Sequence, residues 1–168
     1  MTASRKRTQK LKAKHDGICI FDKNNNGVTG YVRFKKQNGK IKIEYEIEGL
    51  SDGEHGFHIH EYGDLSDECK KACSHFNPTG DVHGGRNSKH RHIGDLGNIV
   101  SKDNVARGSF YDKYISLDYK SKYCIIGRSV IVHEDRDDLG EGGDAESLKT
   151  GNAGKRLACG VIGITKKC

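Results

Sequence analysis

The chain has 168 residues, 33% hydrophobic and 31% charged, with 22 Gly, one Pro and no Trp. That length supports one hydrophobic core and calls for no second domain, while a low apolar, turn-rich composition favours an all-β domain of short strands. No run approaches the roughly 20 apolar residues of a membrane span, and the first residues lack the apolar centre of a secretory signal, so a cytoplasmic location and no membrane partner are expected.

The formal net charge of +6 is concentrated at one end. Residues 1–14 carry Arg5, Lys6, Arg7, Lys10, Lys12 and Lys14 and no acid. The 29 Lys and Arg less those six leave 23, matching the 23 Asp and Glu. A basic arm over 1–14 therefore precedes a neutral domain over 15–168, and apolar-poor charged termini of this kind seldom order. With the remainder neutral and no recognisable binding motif, nucleic acid is not an expected partner.

Along the domain, residues 17–22 read as a first strand. Residues 28–35 form a second, with Asn26-Gly27 as the turn before it. Asn38-Gly39 supplies the positive φ for a hairpin into residues 41–48, IKIEYEIE, whose strict alternation puts one face on a core and one in water. His58-Ile59-His60 falls where the next strand is due. Residues 97–102, 105–111, 124–132 and 157–164 complete the strands, and no helical period is sustained. Two stretches, 61–92 and 134–156, resist strand assignment, and loops this long in a compact domain are usually functional.

The chemistry-bearing residues collect around those loops. Residues two apart on a strand share a face, so His58 and His60 can reach one ion. His75, His83, His92 and Asp95 follow in irregular chain, and His133 closes the apolar run 125–132. Seven such groups exceed the four usual at one zinc ion, which leaves either two metal sites or one site with spare histidines. Imidazole suits copper and zinc alike, and a carboxylate suits zinc better than Cu(I). Met1 is the only methionine, which disfavours a blue-copper centre. Cys19, Cys69, Cys73, Cys124, Cys159 and Cys168 contain no C-x-x-C pair, so histidine rather than thiolate is the expected ligand.

The motif Gly56-Phe57-His58-Ile59-His60-Glu61-Tyr62-Gly63-Asp64 resembles the copper,zinc superoxide dismutase family. The likeness continues through His75-Phe76-Asn77-Pro78, His83-Gly84-Gly85, residues 91–98 (RHIGDLGN), Val132-His133-Glu134, Asp137-Asp138-Leu139-Gly140 and residues 151–163 (GNAGKRLACGVIG). The resemblance spans about 17–165. It implies an eight-stranded Greek-key β-barrel or sandwich, immunoglobulin-like, with two long functional loops. It also implies one copper and one zinc ion per subunit, and dismutation of superoxide to oxygen and hydrogen peroxide by copper cycling between Cu(II) and Cu(I). Copper would be held by His58, His60, His75 and His133, and zinc by His75, His83, His92 and Asp95. His75 would be shared and would supply a proton.

On the same resemblance, Asp137 would accept hydrogen bonds from His58 and His83. Arg156 would hold the anion, and Glu146 and Lys149 would shape its approach. Cys69 and Cys159 would form a disulfide, subunits would pair as homodimers through Tyr62, Gly63, Ile126, Gly127, Val161 and Ile164, and a copper chaperone would load the metal. Some positions depart from the family. Arg86, Lys89 and Arg91 make the segment between His83 and His92 basic, which would strengthen the pull on superoxide, and His90 offers a stray ligand. Cys73 would compete for Cys159. Ala145 stands where some relatives carry an acid.

Overall fold

In the strand Lys40–Glu48 the expected alternation is realised, with Ile41, Ile43 and Ile47 buried and the two end residues exposed. The structure, a computed structural model, describes residues 15–22 and 26–165, so the basic arm and Cys168 lie outside the described residues. The strands are β1 Asp16–Phe21, β2 Thr29–Gln37, β3 Lys40–Glu48, β4 Gly53–His60, β5 Asp95–Lys102, β6 Val105–Asp112, β7 Ser129–His133, β8 Arg156–Val161 and β9 Gly163–Thr165. They pair antiparallel in the order β8-β7-β4-β5-β6-β3-β2-β1-β9. Because β3 pairs with β6 rather than with β4, the connection after β3 crosses to the other side of the core, as a Greek key requires.

Nine segments appear where eight strands were expected because the last one is interrupted at Ile162. There the chain leaves β7 and joins β1, while the backbone of Ile162 bonds to Gly127 and Arg128 in compensation. This change of partner nearly closes the barrel. At the opposite seam β5 and β6 share only Ser101↔Ala106 and Lys102↔Val105, beside the positive-φ turn Asp103-Asn104. The barrel therefore also reads as two facing sheets. Phe34, Ile43, Ile47, Phe57, Ile59 and Leu96 fill the space between them, all fully buried. Each such side chain contributes about 1.5–3 kcal/mol over exposure.

Two local expectations need correction. The strand expected at 124–132 exists only as Ser129–His133; Gly127, at φ 81°, turns the chain, and Ile125 is buried from a loop instead. Asn26-Gly27 does lie in the hairpin between the antiparallel β1 and β2, with Gly27 at φ 73°, but not as a two-residue turn, since β1 ends at Phe21 and β2 begins at Thr29. The two long loops are present as read. They carry only a short 3-10 turn, Lys70–Ala72, and one helical turn, α1, Ser147–Thr150. Among the described residues no helix is long and apolar enough to cross a membrane.

Candidate metal centre

Backbone register assembles the site. His58 pairs with Asp95 across β4 and β5, His60 bridges to His75, and His133 pairs with Arg156 across β7 and β8. Gly94 stitches the first long loop to β4: its carbonyl accepts from Ile59 and its N–H donates to Phe76, which in turn donates to Ile59. The predicted donors are thereby gathered into two buried sets of four, His58, His60, His75 and His133 in one and His75, His83, His92 and Asp95 in the other. His75 belongs to both. His90, by contrast, is exposed beside Asp81 and joins neither set.

Hydrogen bonds fix which nitrogen of each ring is free. The Nε2 atoms of His58 and His83 lie 2.8 and 2.7 Å from the two oxygens of Asp137. A carboxylate only accepts, so both nitrogens carry the proton and each Nδ1 keeps its lone pair. Those two Nδ1 atoms are buried without a hydrogen-bond partner. Nδ1 of His60 donates to the Cys73 carbonyl at 2.7 Å, and Nδ1 of His133 to the Gly154 carbonyl at 3.2 Å. The Nε2 atoms of His60 and His133 then face one another at 3.4 Å, a contact that a shared proton or a metal cation would satisfy. Asp95 closes the second set, with Oδ1 at 2.8 Å from His75 Nδ1 and 3.1 Å from His92 Nδ1, and Oδ2 at 3.1 Å from His83 Nδ1.

Electrostatics divide the groups. Burial holds His60 and His133 well below their ordinary value and takes His75 down to about 3, which keeps these rings neutral and able to donate electron pairs. Burial also works against charge on His83, but the hydrogen bond to Asp137 and the Asp95 carboxylate beside Nδ1 outweigh it and raise the metal-free ring to about 9, so a metal cation at Nδ1 would take the place of a second proton. For Asp95 burial is likewise overcome, by the three imidazoles of His75, His83 and His92 around it, and its carboxyl sits well below the usual range.

A cavity of about 760 Å³ opens onto this centre, lined by His60, His75, His133, Glu146, Lys149 and Arg156. Glu146 and Lys149 are exposed at α1 on its wall. Arg156, at the start of β8, donates to the carbonyls of Cys69 and Cys73. Cys69 is joined to Cys159 by a disulfide, Cα to Cα 6.2 Å, that ties the first long loop to β8. Cys73 is free and exposed rather than a competitor for that bond.

Sequence reasoning missed several supports. Asn98 donates to the Asp137 carbonyl and accepts from its N–H, each at 2.8 Å, locking the second loop to β5. Gly151 leaves the space that the His83–Asp137 bond occupies, which its place among loop glycines could have hinted. His55, buried, holds the His133 carbonyl at 2.8 Å. The basic segment before His92 also behaves differently from expectation. Arg91 is buried and paired with Asp112 at 2.8 Å, and Arg86 stacks on Phe110, so neither lines the cavity.

A family model described as Copper/zinc superoxide dismutase (SODC) matches residues 28–162. The chain is 57% identical over 142 residues to a Superoxide dismutase [Cu-Zn] of Paramecium bursaria Chlorella virus 1, covering 83% of this chain and 75% of that one. It is 52% identical over 148 residues to Superoxide dismutase [Cu-Zn] A of Xenopus laevis, covering 88% and 96%. To the Extracellular superoxide dismutase [Cu-Zn] of Brugia pahangi it is 45% identical over 152 residues, covering 88% and 75%. Two four-donor sets sharing one histidine are compatible with a copper and a zinc ion side by side, and on these relationships the chain belongs to the copper/zinc superoxide dismutase family, oxidoreductases that dismutate superoxide.

Proposed function

We propose that His58, His60, His75 and His133 hold copper, that His75, His83, His92 and Asp95 hold zinc, and that Asp137, Arg156, Glu146 and Lys149 serve them. One observation carries this reading: the lone pairs that Asp137 and the loop carbonyls leave free all point into the two four-donor sets. Bound copper supplies one-electron chemistry, while zinc is redox-inert and fixes its ligands. The residues do the rest. Arg156, held by two loop carbonyls, presents a fixed guanidinium to superoxide in the cavity. His75, with Nδ1 committed to the Asp95 side, offers Nε2 to the other set; when that nitrogen is released it can take up a proton from solvent and pass it to the forming peroxide. Two superoxide anions and two protons thus become oxygen and hydrogen peroxide. Lys149 and Glu146 set the field at the mouth.

The chain is read as one catalytic domain over 15–168 behind the basic arm. A homodimer is proposed on the exposed apolar side chains Tyr62, Val161 and Ile164. Gly63 and Gly127, in close backbone contact, and the half-buried Ile126 complete that surface. Burial of all four copper donors favours delivery by a copper chaperone before the loops settle. Cys19, Cys73 and Cys124 remain thiols, which fits a reducing cytoplasm.

Metal content and superoxide dismutation of the reconstituted protein test the reading, beside His133→Ala and Arg156→Ala. His133→Ala is expected to lose copper. Arg156→Ala is expected to keep copper, slow turnover and weaken its salt dependence. Full copper occupancy without turnover in the wild type would overturn the proposal, and an unchanged Arg156→Ala rate would remove that residue from it.

A further inference from the structure

Between the ligands His83 and His92 the chain is anchored at its ends, where the Gly84 N–H donates to Asp95 and Arg91 pairs with Asp112. Gly84 and Gly85 are conformationally permissive, and residues 87–90 are exposed. The two arginines flanking that exposed stretch turn inward instead. Arg91 Nη1 donates to the Arg86 carbonyl at 2.8 Å, closing the base of the loop. Arg86 Nε donates to the Leu96 carbonyl at 2.9 Å and Nη2 to the Asn98 carbonyl at 3.4 Å, straddling Gly97. Its guanidinium carbon lies 3.6 Å from the centre of the Phe110 ring. Beneath it, Phe110 contacts the rings of Tyr45 and Phe57 at 6.2 and 6.5 Å, and the Tyr45 hydroxyl fills the space left by Gly108.

We infer that Arg86 is a positioning residue for the zinc-side ligands, its guanidinium pinning the His83–His92 segment to β5 and β6 and slowing the release of zinc. The inference rests on the assignment of zinc to His75, His83, His92 and Asp95. The strut reaches His83 by two routes. Along the chain, Arg86 lies three residues after it. Through space, the carbonyl that Arg86 engages belongs to Asn98, whose amide holds the Asp137 backbone, and Asp137 Oδ1 holds His83 Nε2. A guanidinium meets two carbonyls and a ring face at once because its donors lie in one plane; an ammonium cannot reproduce that geometry.

The experiment uses the copper- and zinc-loaded protein. Zinc transfer to a chromogenic chelator is timed at fixed temperature, and Co(II) placed in the zinc site reports ligand geometry through its visible spectrum. Arg86→Ala is expected to speed zinc transfer about tenfold and to change the Co(II) bands. Arg86→Lys is expected to recover less than half of that effect, and Phe110→Leu, which keeps an apolar floor without the ring, to fall between. Arg107→Ala, an exposed arginine paired with Glu46 on the same sheet, is expected to stay within about twofold of the wild type. Wild-type release rates and Co(II) spectra in both Arg86 variants, even with a lowered melting temperature, would overturn the inference and leave the zinc assignment standing. Zinc retained unchanged in His92→Ala would overturn the assignment, and the inference with it.

Discussion

Replacing Gly151 by alanine perturbs the bond that orients His83 while leaving every ligand residue in the sequence unchanged. Gly151 sits at φ 67°, and a Cβ there would lie 1.9 Å from Asp137 Oδ1 and 2.5 Å from His83 Nε2. Gly143, in the same loop at φ 79°, has open space around the corresponding position. An alanine at either site takes on the left-handed penalty of about 1–2 kcal/mol. Only Gly151→Ala must also displace the Asp137 oxygen from its 2.7 Å bond to His83, a charge-assisted interaction worth about 1.5–3 kcal/mol. The totals are about 2.5–5 kcal/mol against about 1–2 kcal/mol. At about 2–4 °C per kcal/mol for a chain of this size, calorimetry of the metal-loaded proteins should separate the two melting temperatures clearly. Zinc affinity, measured by chelator competition, should fall about 10–100-fold in Gly151→Ala and stay near wild type in Gly143→Ala. Equal melting losses with unchanged zinc affinity in both variants would refute the reasoning, because the clash would then cost nothing.

The metal-free protein should lose stability as pH falls below 6.5. His60, His75 and His133 have native values held below their ordinary 6.5, so the unfolded chain binds more protons in that window; each imidazole adds a slope of up to about 1.4 kcal/mol per pH unit. His83, raised to about 9, contributes in the opposite sense, its stabilisation being complete below 6.5 and lost as pH rises through 9. Thermal melts of chelator-stripped protein from pH 4 to 7.5 check this, and a melting temperature that is flat or rises towards pH 4 contradicts it. For the assembly, sedimentation should give twice the 18.6 kDa chain mass for wild type and a monomer for Ile164→Glu; a monomeric wild type would end the dimer proposal.

Much of the centre was legible because metal donors must be present as residue types whatever the fold. His58 and His60 were placed on one face by the two-residue period of a strand, and the alternation of residues 41–48 marked a half-buried strand before any contact was known. Local turn chemistry carried equally well at Asn38-Gly39, where φ is positive at both residues. It failed at residues 124–128, where an apolar run similar to a strand is folded over by Gly127 and plugs the barrel with Ile125.

Charge was the least legible property. Arg86 and Arg91 looked like attractants for an anion. Burial beside Phe110 and Asp112 instead makes them fasteners of the loop, because a guanidinium reaches inward wherever carbonyls and an aromatic face receive it.

The sequence alone determined the donor set, the strand periods and the two long loops, since each follows from residue identity and short-range backbone preference. Only the tertiary structure decided that the last strand breaks at Ile162, nearly closing the barrel, and it brought His75 into both donor sets, which spacing alone leaves open and the family resemblance implies. It also decided which nitrogen of each imidazole is left with a lone pair. Those outcomes depend on contacts between residues as distant as His58 and Asp137, and on the exclusion of water around them, which spacing along the chain does not encode.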